Sequence, residues 1–219
     1  MIKFTQDFKQ DVKQIYLTGE PYALIRFGDG ERAIGCRRKI VSGAGEYQYD
    51  GSDTKTSRKV MEALRADLSG LYLGISCPCC DIKAAAWYRT QLKAPLHRVT
   101  YANLFVNSNY QEFLKLDLKN TVLIACKNGD LTVPEHAMNP EWDYRPLLEQ
   151  MFKVDKPMLI AAGPIKCGII LDYWREAPNK QILLDVGSSM DWKIHGKPTR
   201  QYHRPETVYA KRSCTWQLG

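Results

Sequence analysis

Short apolar runs alternate with amphipathic stretches along the 219-residue chain. Five of the runs are rich in β-branched residues and are typical of buried strands. These runs cover residues 22–27, 71–75, 121–126, 157–161 and 181–186. The stretches between them have helical spacing, and several begin with Ser, Thr or Asp as candidate N-caps. They cover residues 4–17, 56–69, 81–93, 108–116, 144–153 and 165–176. The alternation predicts an α/β fold, a three-layer Rossmann-like and largely parallel sheet with helices on both faces.

Each apolar run is followed by a polar or glycine-rich segment. These segments cover residues 28–31, 76–80, 127–130, 162–164 and 187–189. Ligands of open α/β sheets bind beyond the carboxyl ends of the strands. We therefore expect the chemistry of this protein to reside in these segments.

The first of them, Gly28-Asp-Gly-Glu31, carries two carboxylates separated by one glycine. Glycine leaves room for a bulky ligand to approach the backbone. A hard divalent ion on a diphosphate needs only one or two protein carboxylates, because phosphate oxygens and waters complete its coordination. The alternative is a surface turn in which Asp29 caps a helix that begins near Glu31. The pattern alone does not choose between a metal site and a turn.

Residues 24–31, Leu-Ile-Arg-Phe-Gly-Asp-Gly-Glu, resemble the signature of the GT-D-fold glycosyltransferases, a family formerly described as a domain of unknown function. Residues 161–168, Ala-Ala-Gly-Pro-Ile-Lys-Cys-Gly, and residues 184–187, Leu-Asp-Val-Gly, are similar to later segments of that family. Together the matches span most of the chain. The resemblance implies a nucleotide-binding α/β fold, a nucleoside-diphosphate sugar donor, and Mn²⁺ or Mg²⁺ held by Asp29 and Glu31. It does not imply a particular acceptor.

Transfer of a sugar from such a donor develops negative charge on the departing diphosphate, which cations and helix N-terminal amides stabilise. The residues that we expect to bind the donor are Arg26, Gly28, Gly30, Gly163, Pro164, Lys166 and Gly187. Two of them have a simpler interpretation. Arg26 can pair with a nearby carboxylate, and Lys166 can be a solvated helix residue.

An inverting enzyme needs a base for the acceptor hydroxyl, whereas a retaining enzyme can use the departing phosphate. The candidate bases are Asp130, Asp191 and His136. Asp130 can equally stabilise the turn that it closes, and His136 can be an exposed loop residue.

The segment Cys77-Pro-Cys-Cys80 raises the question of a zinc site. A structural zinc site usually draws four ligands from paired motifs, and no second Cys or His pair has the required spacing. We therefore interpret the segment as a tight turn with small, partly buried thiols. The seven cysteines are an odd number, and four of them are scattered singly, which favours reduced thiols over disulfides.

The bulk properties favour one domain over residues 1–219, with a basic C-terminal segment at 193–219. The apolar runs are shorter than the roughly 18 residues of a membrane span. The N-terminus lacks the features of a secretory signal, so we expect a cytoplasmic protein. The net charge of +7 favours an anionic partner.

The basic segment interleaves cations with aromatic residues, as nucleic-acid contacts do, and we expect it to be irregular. It can bind nucleic acid, close over a diphosphate or be a solvated tail. The main hypothesis is a metal-dependent glycosyltransferase that moves a sugar from a nucleoside-diphosphate sugar, with a UDP-sugar favoured. The acceptor is a hydroxyl of a glycan, a protein or a modified DNA base. The alternative is a non-catalytic nucleic-acid-binding α/β module.

Overall fold

A computed structural model gives the fold of the chain. It describes residues 19–41, 48–134 and 142–212, together with Phe4, Asp11, Gln14, Ile15 and Cys214. The helix predicted over residues 4–17 lies largely outside the described residues, and so does His136.

A parallel sheet is the centre of the fold. The strands are β1 (Ala23–Arg26), β2 (Ile40–Val41), β3 (Gln48–Tyr49), β4 (Leu71–Ile75), β5 (Val99–Tyr101), β6 (Val122–Ala125), β7 (Leu131–Thr132), β8 (Met158–Ala161) and β9 (Leu183–Asp185). Within the described residues, seven of them form one sheet in the order β5-β4-β1-β9-β8-β6-β7. Every pairing in this sheet is parallel. β2 and β3 form a separate antiparallel pair.

The described residues also form α-helices. They are α1 (Asp29–Gly35), α2 (Thr54–Leu64), α3 (Ile82–Gln91), α4 (Tyr110–Phe113), α5 (Arg145–Met151), α6 (Lys166–Glu176), α7 (Asp191–His195) and α8 (Val208–Lys211). Asp53 and Asp81 cap α2 and α3, since each carboxylate accepts a backbone N–H from the first turn of its helix. α6 packs on β1 and on α2.

The core is deepest around β1, which lies between β4 and β9. Ala23 pairs with Leu71 on one side and with Leu183 on the other, and all four residues of β1 are buried. An almost continuous apolar run is typical of a parallel strand that is covered on both faces. The carboxyl end of β1 therefore lies inside the row of strand ends, with the ends of β4 and β9 on either side.

The predicted α/β class with a Rossmann-like parallel sheet is confirmed, and each of the five predicted strands contains an observed one. The pattern missed β5 and β7 of this sheet, which have three and two residues, and also the separate two-residue strands β2 and β3. The expectation of an irregular segment after residue 193 was wrong in part, because α8 and a 3₁₀ turn at Gln201–His203 lie in it. Among the described residues, no helix is both long and apolar enough to cross a membrane.

Candidate functional site

A cavity of about 900 Å³ lies beyond the carboxyl ends of the parallel strands. Its walls come from the segments that directly follow β1, β4, β6, β8 and β9. A further wall comes from the basic segment, which contributes Lys197, Arg200, Tyr202 and Arg204. The sheet therefore gathers the polar segments at one place, as expected for an open α/β sheet.

The acidic turn forms the start of α1. Gly28 is the N-cap in an extended conformation, and its N–H donates to Glu31 Oε2 at 2.8 Å. The Tyr88 hydroxyl donates to the Gly28 carbonyl from α3. Asp29 is exposed, and its Oδ1 accepts the N–H of Gly30 at 3.0 Å. The helix thus begins at Asp29, and the side chain that reaches back to the N-cap is Glu31 rather than Asp29.

Four charged side chains form a buried network beneath the cavity. Lys166 Nζ lies 2.7 Å from Glu31 Oε1 and 3.2 Å from Asp185 Oδ2. The backbone N–H of Arg26 donates to Asp185 Oδ2 at 2.8 Å, and its Nε donates to the Asp185 carbonyl at 2.7 Å. Arg26 and Asp185 have relative exposures of 8% and 0%, so the pairing replaces lost hydration. The charges of the two cations and the two carboxylates therefore cancel.

The network keeps Glu31 and Lys166 ionised. Burial by itself would raise the pKa of Glu31, but the Lys166 ammonium and the Gly28 N–H hold this pKa below its usual value. Burial likewise opposes the charge of Lys166, but the carboxylates of Asp185 and Glu31 raise its pKa well above the ordinary value. Lys166 is therefore a buried structural cation as well as a residue of the cavity wall.

Two glycines shape the wall through left-handed backbone. Gly163 has φ +57°, and a Cβ atom there would meet nothing within 4 Å. Gly187 has φ +48°, and a Cβ atom there would lie 2.7 Å from Arg26 Nη2. Glycine adopts this conformation without the steric cost that other residues have. A side chain at Gly187 would push against the guanidinium of the network.

The sequence-predicted donor residues all lie on the wall of this cavity. They are Arg26, Gly28, Gly30, Gly163, Pro164, Lys166 and Gly187. Asp29 and Glu31 line it as well. The simpler interpretation of Arg26 as one partner of an ion pair also describes its contacts, since Asp185 Oδ1 lies 3.7 Å from Arg26 Nη2.

Two of the candidate bases, Asp191 and Asp130, lie at different places in the fold. Asp191 lines the cavity with 6% exposure, and Thr199 donates its hydroxyl and its N–H to Asp191 Oδ2. Asp130 is not on the wall, and its Oδ2 accepts the N–H of Leu123 at 2.7 Å. The structure therefore does not bring Asp130 to the site, because its carboxylate closes the turn after β6. His136 lies outside the described residues.

Sequence reasoning missed two groups at the site. Asp185 ends β9 and joins the buried network, whereas the sequence identified it only as part of the family-like segment 184–187 and gave it no role. Ser188 and Tyr202 face each other with their hydroxyl oxygens 3.2 Å apart, and burial raises the pKa of Tyr202. The signal for Asp185 was an acidic residue at the end of an apolar run. No local pattern marked the contact between Ser188 and Tyr202.

Solved structures of domain of unknown function 1792 share this fold. One, described as having a distinct glycosyltransferase fold, matches with a TM-score of 0.55 over 95% of this chain and 90% of its own, at 13% identity. Another, described as a new glycosyltransferase from Streptococcus sanguinis, matches with a TM-score of 0.55 over 88% of this chain and 83% of its own, at 14% identity. The fold implied by the resemblance in sequence is confirmed.

The comparisons of sequence find no counterpart. No protein-family model matches the chain, and no curated protein matches it. At 13–14% identity the likeness to the solved structures shows the fold alone. Function has to be argued from the site.

Proposed function

We propose that the protein is a glycosyltransferase that moves a sugar from a nucleoside-diphosphate sugar to a hydroxyl acceptor. The observation that supports this most is one cavity, beyond the carboxyl ends of a parallel sheet, which brings together two carboxylates, a glycine-lined wall and basic side chains. The glycosyltransferase fold of the matched structures agrees with this proposal.

The cavity suits the donor in size and in polarity. A volume of about 900 Å³ is enough for a ligand as large as a nucleotide sugar. The 3₁₀ turn at Gly163–Ile165 leads directly into α6, whose N-terminal amides favour phosphate oxygens. Lys197 and Arg204 also line the cavity and add positive charge to it. We propose that the diphosphate binds near these cations and the N-terminus of α6, with a UDP-sugar as the favoured donor.

We propose that Asp29 and Glu31 hold Mn²⁺ or Mg²⁺ at the diphosphate. Asp29 lies between Gly28 and Gly30, Glu31 follows directly, and two carboxylates fit the sparse coordination of a hard ion on a phosphate ligand. The ion would neutralise negative charge that develops on the departing diphosphate. Because Lys166 already neutralises Glu31, we expect the exposed Asp29 to carry most of the metal dependence.

Of the candidate bases in the described residues, Asp191 lines the cavity. Two hydrogen bonds from Thr199 orient its carboxylate. If the reaction inverts the anomeric carbon, we propose Asp191 as the group that takes the acceptor proton. The acceptor is a hydroxyl of a glycan, a protein or a modified DNA base. We place the reaction in the cytoplasm, in agreement with seven free cysteines.

The non-catalytic nucleic-acid module is less well supported by the geometry. The basic side chains of Lys197, Arg200 and Arg204 line the same cavity as Asp29. This placement favours closure over a small anionic ligand. A nucleic-acid-binding module would instead show oligonucleotide affinity that falls steeply with salt and does not depend on Asp29.

A thermal-shift screen tests the proposal. UDP-, GDP-, ADP- and TDP-sugars are each added with and without Mn²⁺. A ligand at about 100 times its Kd stabilises the native state by about 2.7 kcal/mol, which raises Tm measurably. We expect at least one sugar nucleotide to raise Tm only when Mn²⁺ is present. No metal-dependent shift with any of the four would contradict the proposal.

A further inference from the structure

Four cysteine thiols lie together at the edge of the cavity. Cys77, Cys79 and Cys80 come from the turn after β4, and Cys214 comes from the segment after α8. All four sulfur atoms lie within 4.8 Å of one another. The Sγ atoms of Cys80 and Cys214 are 3.4 Å apart, and those of Cys77 and Cys79 are 2.6 Å apart. Cys80 and Cys214 are 134 positions apart in the chain, so the fold itself creates this cluster.

The arrangement matches the demands of one soft metal ion. A tetrahedral zinc site with Zn–S distances of about 2.3 Å places its sulfurs about 3.8 Å apart. The Sγ atoms of Cys80 and Cys214 are close to that spacing at 3.4 Å, and all four sulfurs lie within 4.8 Å of one another, so they can surround one ion once Cys77 and Cys79 move apart. A multinuclear iron–sulfur cluster spreads its cysteine ligands over a wider volume than one ion does. The cluster therefore favours a mononuclear site.

The surroundings of the thiols suit thiolate ligands. The N–H groups of Cys80 and Asp81 both donate to the Cys77 carbonyl at 3.0 Å, which folds the turn so that it presents three sulfurs together. Asn107 Nδ2 lies 3.4 Å from Cys214 Sγ, and Asn103 Nδ2 lies 3.6 Å from Cys80 Sγ. Donors of this kind orient metal ligands and stabilise their charge.

We propose that Cys77, Cys79, Cys80 and Cys214 bind one Zn²⁺ ion as a tetrahedral thiolate site. Zinc is the common ion of structural four-cysteine sites. Binding converts the thiols to thiolates and releases their protons to solvent, with no change of oxidation state. The site is separate in chemistry from the carboxylates of Asp29 and Glu31, which suit hard ions.

The ion fastens the basic segment to the sheet. Arg200, Tyr202 and Arg204 line the cavity and precede Cys214 in the chain, and Cys77 and Cys80 line the same cavity. The guanidinium of Arg212 also donates to the Cys79 carbonyl at 2.5 Å, so the two segments already touch. A zinc ion at their junction would hold the basic wall of the cavity in place. This role does not depend on which reaction the cavity carries out.

Metal analysis of the whole chain tests the site. We expect protein purified with a reductant to contain about one Zn²⁺ per chain. After removal of the zinc, added Co²⁺ is expected to give the strong sulfur-to-cobalt charge-transfer and d–d absorption of a tetrahedral thiolate site. Cys214→Ser should reduce bound zinc well below one equivalent and remove that spectrum. Cys36→Ser, which changes a partly buried cysteine outside the cluster, should change neither.

Two outcomes would overturn the proposal. One is reduced wild-type protein that contains no zinc and takes up no Co²⁺ while all four thiols react with a thiol reagent. The other is a disulfide between two of these cysteines that persists under the reducing purification, which mass spectrometry of the alkylated protein would reveal. The wild-type spectrum keeps the test valid even if Cys214→Ser fails to fold. Nucleotide binding plays no part in either readout, so failure here would leave the proposed glycosyl transfer untouched.

Discussion

At the scale of single residues, the site rests on charges that the fold has removed from water. Lys166 contacts Glu31 and Asp185, and the three side chains are between 0% and 9% exposed. Removing one member of such a group leaves the others as uncompensated buried charges. The sequence predicted Lys166 either as a donor-binding residue or as a solvated helix residue, and its burial contradicts the second interpretation. Its ion pairs were out of reach because both partners lie far away in the chain.

Replacing Lys166 by methionine is therefore expected to destabilise the protein by about 3–5 kcal/mol. The reason is that two buried carboxylates would lose their cation. Urea unfolding at neutral pH measures the change. Lys115→Met is the matched control, since Lys115 is 69% exposed in its pair with Glu112 and should cost no more than about 1 kcal/mol. Similar losses in the two variants would contradict the buried network.

The buried side chain of His203 leads to a prediction about the pH dependence of stability. Burial, aided by the charge of Arg26, lowers its pKa to about 3, and its ring stacks on Tyr110 at 4.2 Å. The folded protein therefore keeps His203 neutral at pH values where the unfolded chain, with a pKa near 6.5, binds a proton. Its contribution to stability is complete above pH 6.5 and is lost as the pH falls toward 3.

Because His203 stays neutral only in the folded protein, it should lower the free energy of unfolding by roughly 2 kcal/mol between pH 7 and pH 5. Urea unfolding of the wild type and of His203→Phe at the two pH values measures it. The phenylalanine variant keeps the stacking on Tyr110 but cannot titrate. It should lose about 2 kcal/mol less than the wild type over this range. Parallel losses in the two proteins would show that His203 is not held neutral.

At the scale of elements, the pattern identified strands that are long and apolar and missed those that are short. β1, β4 and β8 are buried runs of four or five residues, and the sequence located them well. β7 consists of two residues, which give no periodicity to recognise. The order of strands was out of reach, because the pairing of β1 with β9 joins residues about 160 positions apart.

The turn after β9 gives a prediction for one element. Gly187→Ala would place a Cβ atom 2.7 Å from Arg26 Nη2 on a left-handed backbone, so both strain and contact should destabilise the fold. Gly196→Ala is the control, since Gly196 has φ +72° but open space around its Cβ position. The control should cost about 1–2 kcal/mol from backbone strain alone. Denaturant unfolding should show a clearly larger loss of unfolding free energy for Gly187→Ala than for Gly196→Ala. Equal losses in the two variants would argue against close contact between residue 187 and Arg26.

At the scale of the whole molecule, the sheet explains why the predicted site residues meet. Residues after β1, β8 and β9 line one cavity because parallel strands end at the same edge. The general rule for open sheets was therefore sufficient to find most of the wall. It did not find Cys214 beside Cys77, because that contact depends on where the chain returns after α8. The same rule wrongly placed Asp130 at the site. This residue follows a strand, but its carboxylate stabilises the turn that it closes.

The proposed function requires that this cavity bind a nucleoside diphosphate through a metal held at Asp29. Glu31 is a poor probe of it, because Glu31→Gln would also disturb Lys166 in the buried network. Asp29→Asn removes an exposed carboxylate. Asp117→Asn is its matched control, since Asp117 is also exposed and also accepts a nearby backbone N–H, but lies outside the cavity wall.

The most direct measurement is calorimetric titration of UDP, GDP, ADP and TDP into the wild type and these two variants, with and without Mn²⁺. We predict that Mn²⁺ strengthens the binding of at least one diphosphate by about tenfold or more, which corresponds to about 1.4 kcal/mol. This gain should persist in Asp117→Asn and disappear in Asp29→Asn. A gain that survives unchanged in Asp29→Asn, or no metal-dependent binding of any of the four, would contradict the claim.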